Sequence, residues 1–174
     1  MLGIKGVVSA MNNLGQMVIS MDRKVFLRQP NGTMEPRTVD DAELVVGNGL
    51  NNLGQMVGSA YNSQPIRSSA VPWEADGSSR FIPVALGFVT PTDFYNDPVA
   101  HAINDSGTIL GAYQTGASSL GLFLLVDGTF LSTVGGGKYG LFSGLSNAGE
   151  VFYELPIPRV WHESPEPDGW LSLP

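Results

Sequence analysis

The chain has 174 residues, of which 43% are hydrophobic and only 14% charged, and it carries a net charge of −7. That length suits a single domain with its own core, and nine Lys and Arg against sixteen Asp and Glu exclude a phosphate-binding nucleic-acid groove. The absence of cysteine excludes disulfides, thiolate nucleophiles and thiolate-bound metals, and apolar runs such as Leu122 to Val126 fall far short of the ~20 residues of a membrane-spanning helix.

From the N-terminus, Met1 to Val8 lacks the basic start and apolar centre of a secretory signal. The first patterned segment is Ala10-Met11-Asn12-Asn13-Leu14-Gly15-Gln16-Met17-Val18, and it returns as Gly49 to Gly58, Ala102 to Gly111 and Gly144 to Phe152. Each copy reads small, aliphatic, Asx-like, Asx, any residue, Gly, polar, apolar, apolar. Asx two residues before Gly predicts a short hairpin loop, the Asx bonding its own backbone and Gly taking the left-handed conformation that a Cβ penalises. Each copy is followed by an aromatic-bearing strand, Val25-Phe26-Leu27, Val71-Pro72-Trp73, Leu122-Phe123-Leu124 or Val160-Trp161, expected as core, with Pro72 pointing to an edge or bulge. Then comes an Asx-Gly pair, Asn31-Gly32, Asp76-Gly77, Asp127-Gly128 or Asp168-Gly169, predicting a second tight turn of type I′.

Two hairpins per copy give four repeats, approximately 5–43, 44–96, 97–138 and 139–174, forming one all-β domain. A period near 45 residues is that of four-stranded propeller blades, so the predicted fold is a four-bladed β-propeller. An open β-meander or a two-sheet sandwich has the same local signals and stands as the alternative.

The Asn-Asn/Asp-x-Gly-x-apolar-apolar hairpin followed by an aromatic strand and an Asx-Gly turn resembles the HAF repeat of bacterial extracellular proteins. Residues 102–111 match that hairpin well and 49–60 nearly so. The second half departs, since no His precedes Phe26 or Phe123 and neither Trp73 nor Trp161 follows a Phe. The resemblance implies a propeller-like fold and an extracellular location, and it brings no catalytic residues.

Candidate sites are few. His101 and His162 are the only histidines and no metal-ligand spacing surrounds them, so neither a metal nor another cofactor is expected. No Gly-x-Ser-x-Gly elbow occurs, and Gly135-Gly136-Gly137-Lys138 is out of frame for a phosphate loop. Ser9, Asn48, His101 and Ser143 occupy equivalent positions before the first hairpin, each followed by a small residue, and are expected to ring a channel mouth. Asn13, Asn52, Asp105 and Asn147 are expected to stabilise turns. The second interval between repeat glycines is longest, and its excess near residues 86–98 predicts a recognition loop carrying Asp93, Phe94, Tyr95 and Asp97. The expected function is a non-catalytic module that holds a protein or glycan through these residues with Asn48 and His101. The alternative is a hydrolase or lyase using Asp93, Asp97 or Glu163 with His101 as acid and base.

Overall fold

The structure, a computed structural model, describes residues 6–63, 66–82, 98–116, 119–133 and 141–154. Among these residues there is no helix, and none is therefore long and apolar enough to cross a membrane. Among the described residues thirteen strands form four antiparallel sheets, none of which closes into a barrel.

Each sheet is a meander drawn from one repeat. The first joins β1 (Val7–Met11), β2 (Met17–Met21), β3 (Lys24–Arg28) and β4 (Met34–Arg37) in that order. The second joins β5 (Leu44–Leu50), β6 (Met56–Ser63) and β7 (Ile66–Trp73). The third joins β8 (Val99–Ile103), β9 (Ile109–Gly116), β10 (Ser119–Val126) and β11 (Thr129–Thr133), and the fourth pairs β12 (Leu141–Leu145) with β13 (Val151–Glu154).

Period-2 alternation gives the second and third sheets two apolar faces, and successive sheets bury apolar faces against each other. Val18, Val25 and Leu27 of the first sheet form one core with Val45, Met56, Val71 and Trp73 of the second. Val57 and Ala70, on the other face of the second sheet, form the next core with Ala100, Ile109 and Phe123 of the third. Leu110 and Leu124 then meet Val151 of the fourth. Trp73 and Phe123 are fully buried, as expected of the aromatic strands, whereas Phe26 is half-buried and faces away from the core that Val25 and Leu27 enter.

Pro72 sits on β7, the edge of the second sheet, paired with Val57. Its carbonyl accepts Arg80 N–H at 3.3 Å, so its missing N–H lies on that same outer side. The return segment is accordingly reduced to a bridge between Trp73 and Ser79, with Ile82 N–H donating to Ala70 O at 3.0 Å.

The turns divide into two kinds. Gly15, Gly54, Gly107 and Gly149 all have positive φ, from 76° to 84°. At the second turns the expectation of type I′ holds for Asp127 and Gly128, both at positive φ, but at Asn31-Gly32 and Asp76-Gly77 only the glycine is left-handed. There Gln29 N–H reaches Thr33 O and Gly32 N–H reaches Gln29 O, a wider loop in which a type I turn precedes a left-handed Gly. Asp168 and Gly169 lie outside the described residues.

Candidate functional site

The residue types that mark each first hairpin build its loop. Asn12 N–H donates to Gln16 O at 3.1 Å, while Asn12 Oδ1 accepts the N–H groups of Leu14 and Gln16 at 3.1 and 3.0 Å. Asn51 repeats this with Leu53 and Gln55. Asn104 Oδ1 takes Thr108 N–H, and in the fourth repeat Ser146 Oγ takes Glu150 N–H. The first Asx-like residue is thus the local turn former.

Its side-chain amide has a second task. Asn12 Nδ2 donates to Asn51 O at 2.9 Å, Asn51 Nδ2 to Asn104 O at 3.0 Å, and Asn104 Nδ2 to Ser146 O at 3.1 Å. The second Asx residues run parallel to these rungs. Asn13 N–H donates to Asn52 Oδ1 at 3.0 Å, Asn52 N–H to Asp105 Oδ1 at 2.8 Å, and Asp105 N–H to Asn147 Oδ1 at 3.0 Å. Asn13, Asn52, Asp105 and Asn147 were expected to stabilise their own turns; instead they join one repeat to the next. Asp105 Oδ2 also accepts Nδ2 of Asn52 and of Asn147, each at 2.8 Å. Led by the Asn52 backbone N–H, these donors hold the Asp105 carboxyl below its ordinary value, since they favour the ionised form.

The rungs run one way, each repeat giving its Asx backbone N–H and first side-chain amide to its successor, and Asn147 Nδ2, which donates back to Asp105 Oδ2, is the exception among the described residues. Ser146 has no amide to pass onward, and its Oγ donates to Glu150 instead. No hydrogen bond among the described residues joins Ser146 or Asn147 back to Asn12 or Asn13.

Ser9, Asn48, His101 and Ser143 fall at the same feature in the first strand of each of the four sheets. The pairing skips each of them, from Val8 to Ala10, Gly47 to Gly49, Ala100 to Ala102 and Phe142 to Gly144. Each is the extra residue of a β-bulge, which leaves a backbone step unpaired. Ser9 Oγ uses that freedom to donate to Gly47 O at 2.6 Å, and Asn48 Nδ2 does the same to Ala100 O at 2.8 Å. Asn48 thus ties sheet two to sheet three. His101 follows in register on β8, half-buried, and burial pushes its pKa down. The small residues beside them permit this approach: a Cβ on Gly49 would lie 3.1 Å from both Ala102 Cα and His101 O.

A chain of side chains starts from the first tip. Asn12 Nδ2 donates to Gln16, Gln16 Nε2 to Gln29, and Gln29 Nε2 to Glu35, which pairs with Arg37 at 3.1 Å. Arg37 Nη2 reaches Ala75 O of the second repeat at 3.4 Å, and Trp73 Nε1 returns to Thr38 O at 3.0 Å. The first two sheets are therefore clasped at their first hairpin tips and again through Arg37 and Trp73.

Of the residues named from sequence, Asn48 and His101 lie on β5 and β8, whereas Asp93, Phe94, Tyr95, Asp97 and Glu163 lie outside the described residues. Among the described residues no group of three or more His, Asp or Glu is placed to hold a metal ion. Sequence reasoning missed the tips themselves. Leu14 and Leu53, at the unrestricted position of the loop pattern, are each 61% exposed on neighbouring tips whose backbones the Asx rungs lock together. The signal was a large apolar residue at a loop position that has no core to face.

No family model matches the chain, and no curated protein matches it either.

Proposed function

We propose that the chain is a non-catalytic recognition module, with its four repeats acting as propeller blades of the kind the HAF resemblance implies, which presents a fixed row of hairpin tips to a protein partner. The observation that carries this reading is the exposure of Leu14 and Leu53 on tips held in register by Asn12, Asn13 and Asn52. An apolar group fixed at a solvent-facing tip has no role in the fold's own core, and it buries surface only when a partner arrives. Support for the blade reading comes from the recurrence of one bulged inner strand per sheet and from the packing of each sheet against the next. Leucine side chains favour a protein over a glycan, because sugars stack best on planar aromatic rings.

The test is a peptide-display selection and a glycan array, both on the immobilised full chain. Selected peptides are expected to lose binding to Leu14→Asp and Leu53→Asp while keeping it with Phe81→Asp, an exposed aromatic away from the tips. Ligands that bind both leucine variants unchanged, or that come only from the glycan array, overturn the reading.

A further inference from the structure

Two Asn-Gly pairs stand in the sequence, Asn31-Gly32 and Asn48-Gly49. In such a pair the side-chain amide and the next backbone nitrogen can meet freely, because Gly has no Cβ to crowd the approach. The fold separates the two. Asn48 is half-buried on β5 beside buried Gly49, and its Nδ2 donates to Ala100 O at 2.8 Å. Gly49 is paired with Val57, and a Cβ on it would lie 2.9 Å from Val57 Cγ2. Neither the amide nor the nitrogen can move without disturbing the packing of the second sheet on the third. Asn31 and Gly32 are both exposed, in the loop between β3 and β4, and Asn31 Nδ2 has no partner among the described residues.

The loop around Asn31 favours a reaction between these two groups. Thr33 N–H donates to Asn31 Oδ1 at 2.9 Å, which draws electrons from Cγ and stabilises the negative charge that develops on this oxygen under attack. Arg28 Nη2 lies 3.8 Å from where a Cβ on Gly32 would stand, so a positive charge sits beside the Gly32 nitrogen and favours its deprotonated form. One bond restrains that nitrogen, Gly32 N–H to Gln29 O at 2.9 Å, in an exposed loop where water replaces either partner as the loop opens. The second repeat shows the same loop with a carboxylate in place of the amide. Asp76 Oδ1 accepts Ser78 N–H at 2.9 Å, Glu74 N–H reaches Ser78 O at 2.8 Å, and Gly77 N–H reaches Glu74 O at 2.9 Å. An arginine stands beside it as well, Arg37 Nη1 being 3.3 Å from the place of a Cβ on Gly77.

We propose that Asn31 is a site of self-modification by deamidation, with water as the only co-reactant. The Gly32 nitrogen gives its proton to solvent and attacks Asn31 Cγ. A new C–N bond closes a succinimide ring, the bond from Cγ to Nδ2 breaks, and Nδ2 takes a proton from solvent and leaves as ammonia. One water then opens the ring at either carbonyl. Attack at Cγ breaks the new C–N bond and gives an ordinary aspartate at position 31. Attack at the backbone carbonyl breaks the original peptide bond instead, and the chain then runs through Cγ as isoaspartate. No electron is transferred, and each event adds one negative charge to the −7 of the chain. The aspartate form keeps the loop, as Asp76 does, and gains Arg28 as counter-ion. The isoaspartate form carries an extra backbone methylene between Gln29 and Thr33, which close the loop at 2.8 Å.

Peptide mapping by mass spectrometry of the full folded chain, aged in a mildly alkaline buffer, tests this. Position 31 is expected to convert roughly tenfold faster than position 48, since local opening of an exposed loop is far easier than opening of a packed strand. The product is expected to be a mixture of aspartate and isoaspartate, the mark of a succinimide. In urea, where neither pair is held, the two rates are expected to converge. Arg28→Gln is expected to slow conversion of Asn31 several-fold in the folded chain and to leave it unchanged in urea. Conversion of Asn31 no faster than that of Asn48 in the folded chain overturns the proposal. So does a product that is aspartate alone, which direct hydrolysis of the side-chain amide would give. A folded Arg28→Gln chain that reacts as fast as the wild type removes the role given to the cation and leaves the reactivity to the Asn-Gly pair alone, which overturns the account of the loop.

Discussion

The side-chain amide of Asn51 donates to the backbone carbonyl of Asn104 at 3.0 Å across 53 positions of sequence, while its carbonyl oxygen closes its own hairpin loop on Leu53 and Gln55. One side chain, 3% exposed, therefore carries both the local turn and the contact between two repeats. Ser146 shows the two tasks separated, since it keeps the loop acceptor and lacks the outgoing donor. Asn51→Ser is expected to cost about 1–2 kcal/mol, the loss of one buried donor whose acceptor is left short, and Asn51→Ala about 2–4 kcal/mol because the Leu53 and Gln55 N–H groups are orphaned as well. Urea unfolding of both variants checks the order; equal losses would mean that the loop bonds contribute nothing.

Asp105 makes the same joint pH-dependent. Its folded-state pKa lies below the ordinary 3.8, first because of the Asn52 N–H and amide, so its contribution is fully present above 3.8 and is lost as pH falls through the folded value. Acid unfolding of the wild type should be steeper than that of Asp105→Asn, which keeps an acceptor for Asn52 N–H but has no proton to bind. Identical acid limbs in the two proteins would show that the carboxylate is not coupled to folding.

His101 works in a higher window. Burial lowers its folded pKa below the ordinary 6.5, so the unfolded chain takes up the proton first, and stability declines as pH falls from 6.5 toward the folded value. His101→Gln should remove this slope while leaving the Asp105 limb in place. A melting temperature for the wild type that is flat between neutral pH and the carboxylate range would rule the coupling out.

The repeats were legible because their signals are local. A left-handed Gly at Gly15, Gly54, Gly107 and Gly149 is demanded within a single loop, and all four have it. The partners of Asn13, Asn52, Asp105 and Asn147 were not legible, because the acceptor chosen depends on a sheet that folds 39 to 53 residues away, and the same Asx serves its own turn equally well on paper. The bulges were half visible: Ser9, Asn48, His101 and Ser143 stood out as polar residues beside small ones, but nothing in a linear pattern says that the ladder skips them. Phe26 misled for a related reason, since alternation puts Val25 and Leu27 on one face and the aromatic ring on the other.

Close packing of paired strands makes a sharp contrast between two glycines. A Cβ on Gly58 would run into Val46 O, a backbone atom of the paired strand, whereas one on Gly107 would meet nothing within 4 Å and faces only the strain of φ +81°. Gly107→Ala should cost about 1–2 kcal/mol, the ordinary penalty for a left-handed alanine. Gly58→Ala should cost more than 3 kcal/mol or prevent folding, because neither strand can yield without breaking the ladder. Comparable midpoints in urea for the two variants would mean that β5 and β6 are not as close as their register requires.

The turn between β2 and β3 had no glycine to announce it. Asp22 and Arg23 both adopt positive φ, 49° and 66°, between the paired residues Met21 and Lys24, which is a two-residue I′ turn built from residues that resist it. The arrangement is held from outside, since Arg23 O accepts Val45 N–H of the second sheet at 3.0 Å. Arg23→Gly relieves a strain of ~1–2 kcal/mol and gives back part of it through the greater freedom of glycine in the unfolded chain. The net expectation is a gain of about 0.5–1 kcal/mol, read as a higher urea midpoint at unchanged slope. Arg23→Ala serves as the control: it removes the same exposed charge but keeps the left-handed penalty, so it should leave the midpoint where it was. If Arg23→Ala gains as much as Arg23→Gly, the effect belongs to the lost charge and the backbone argument fails.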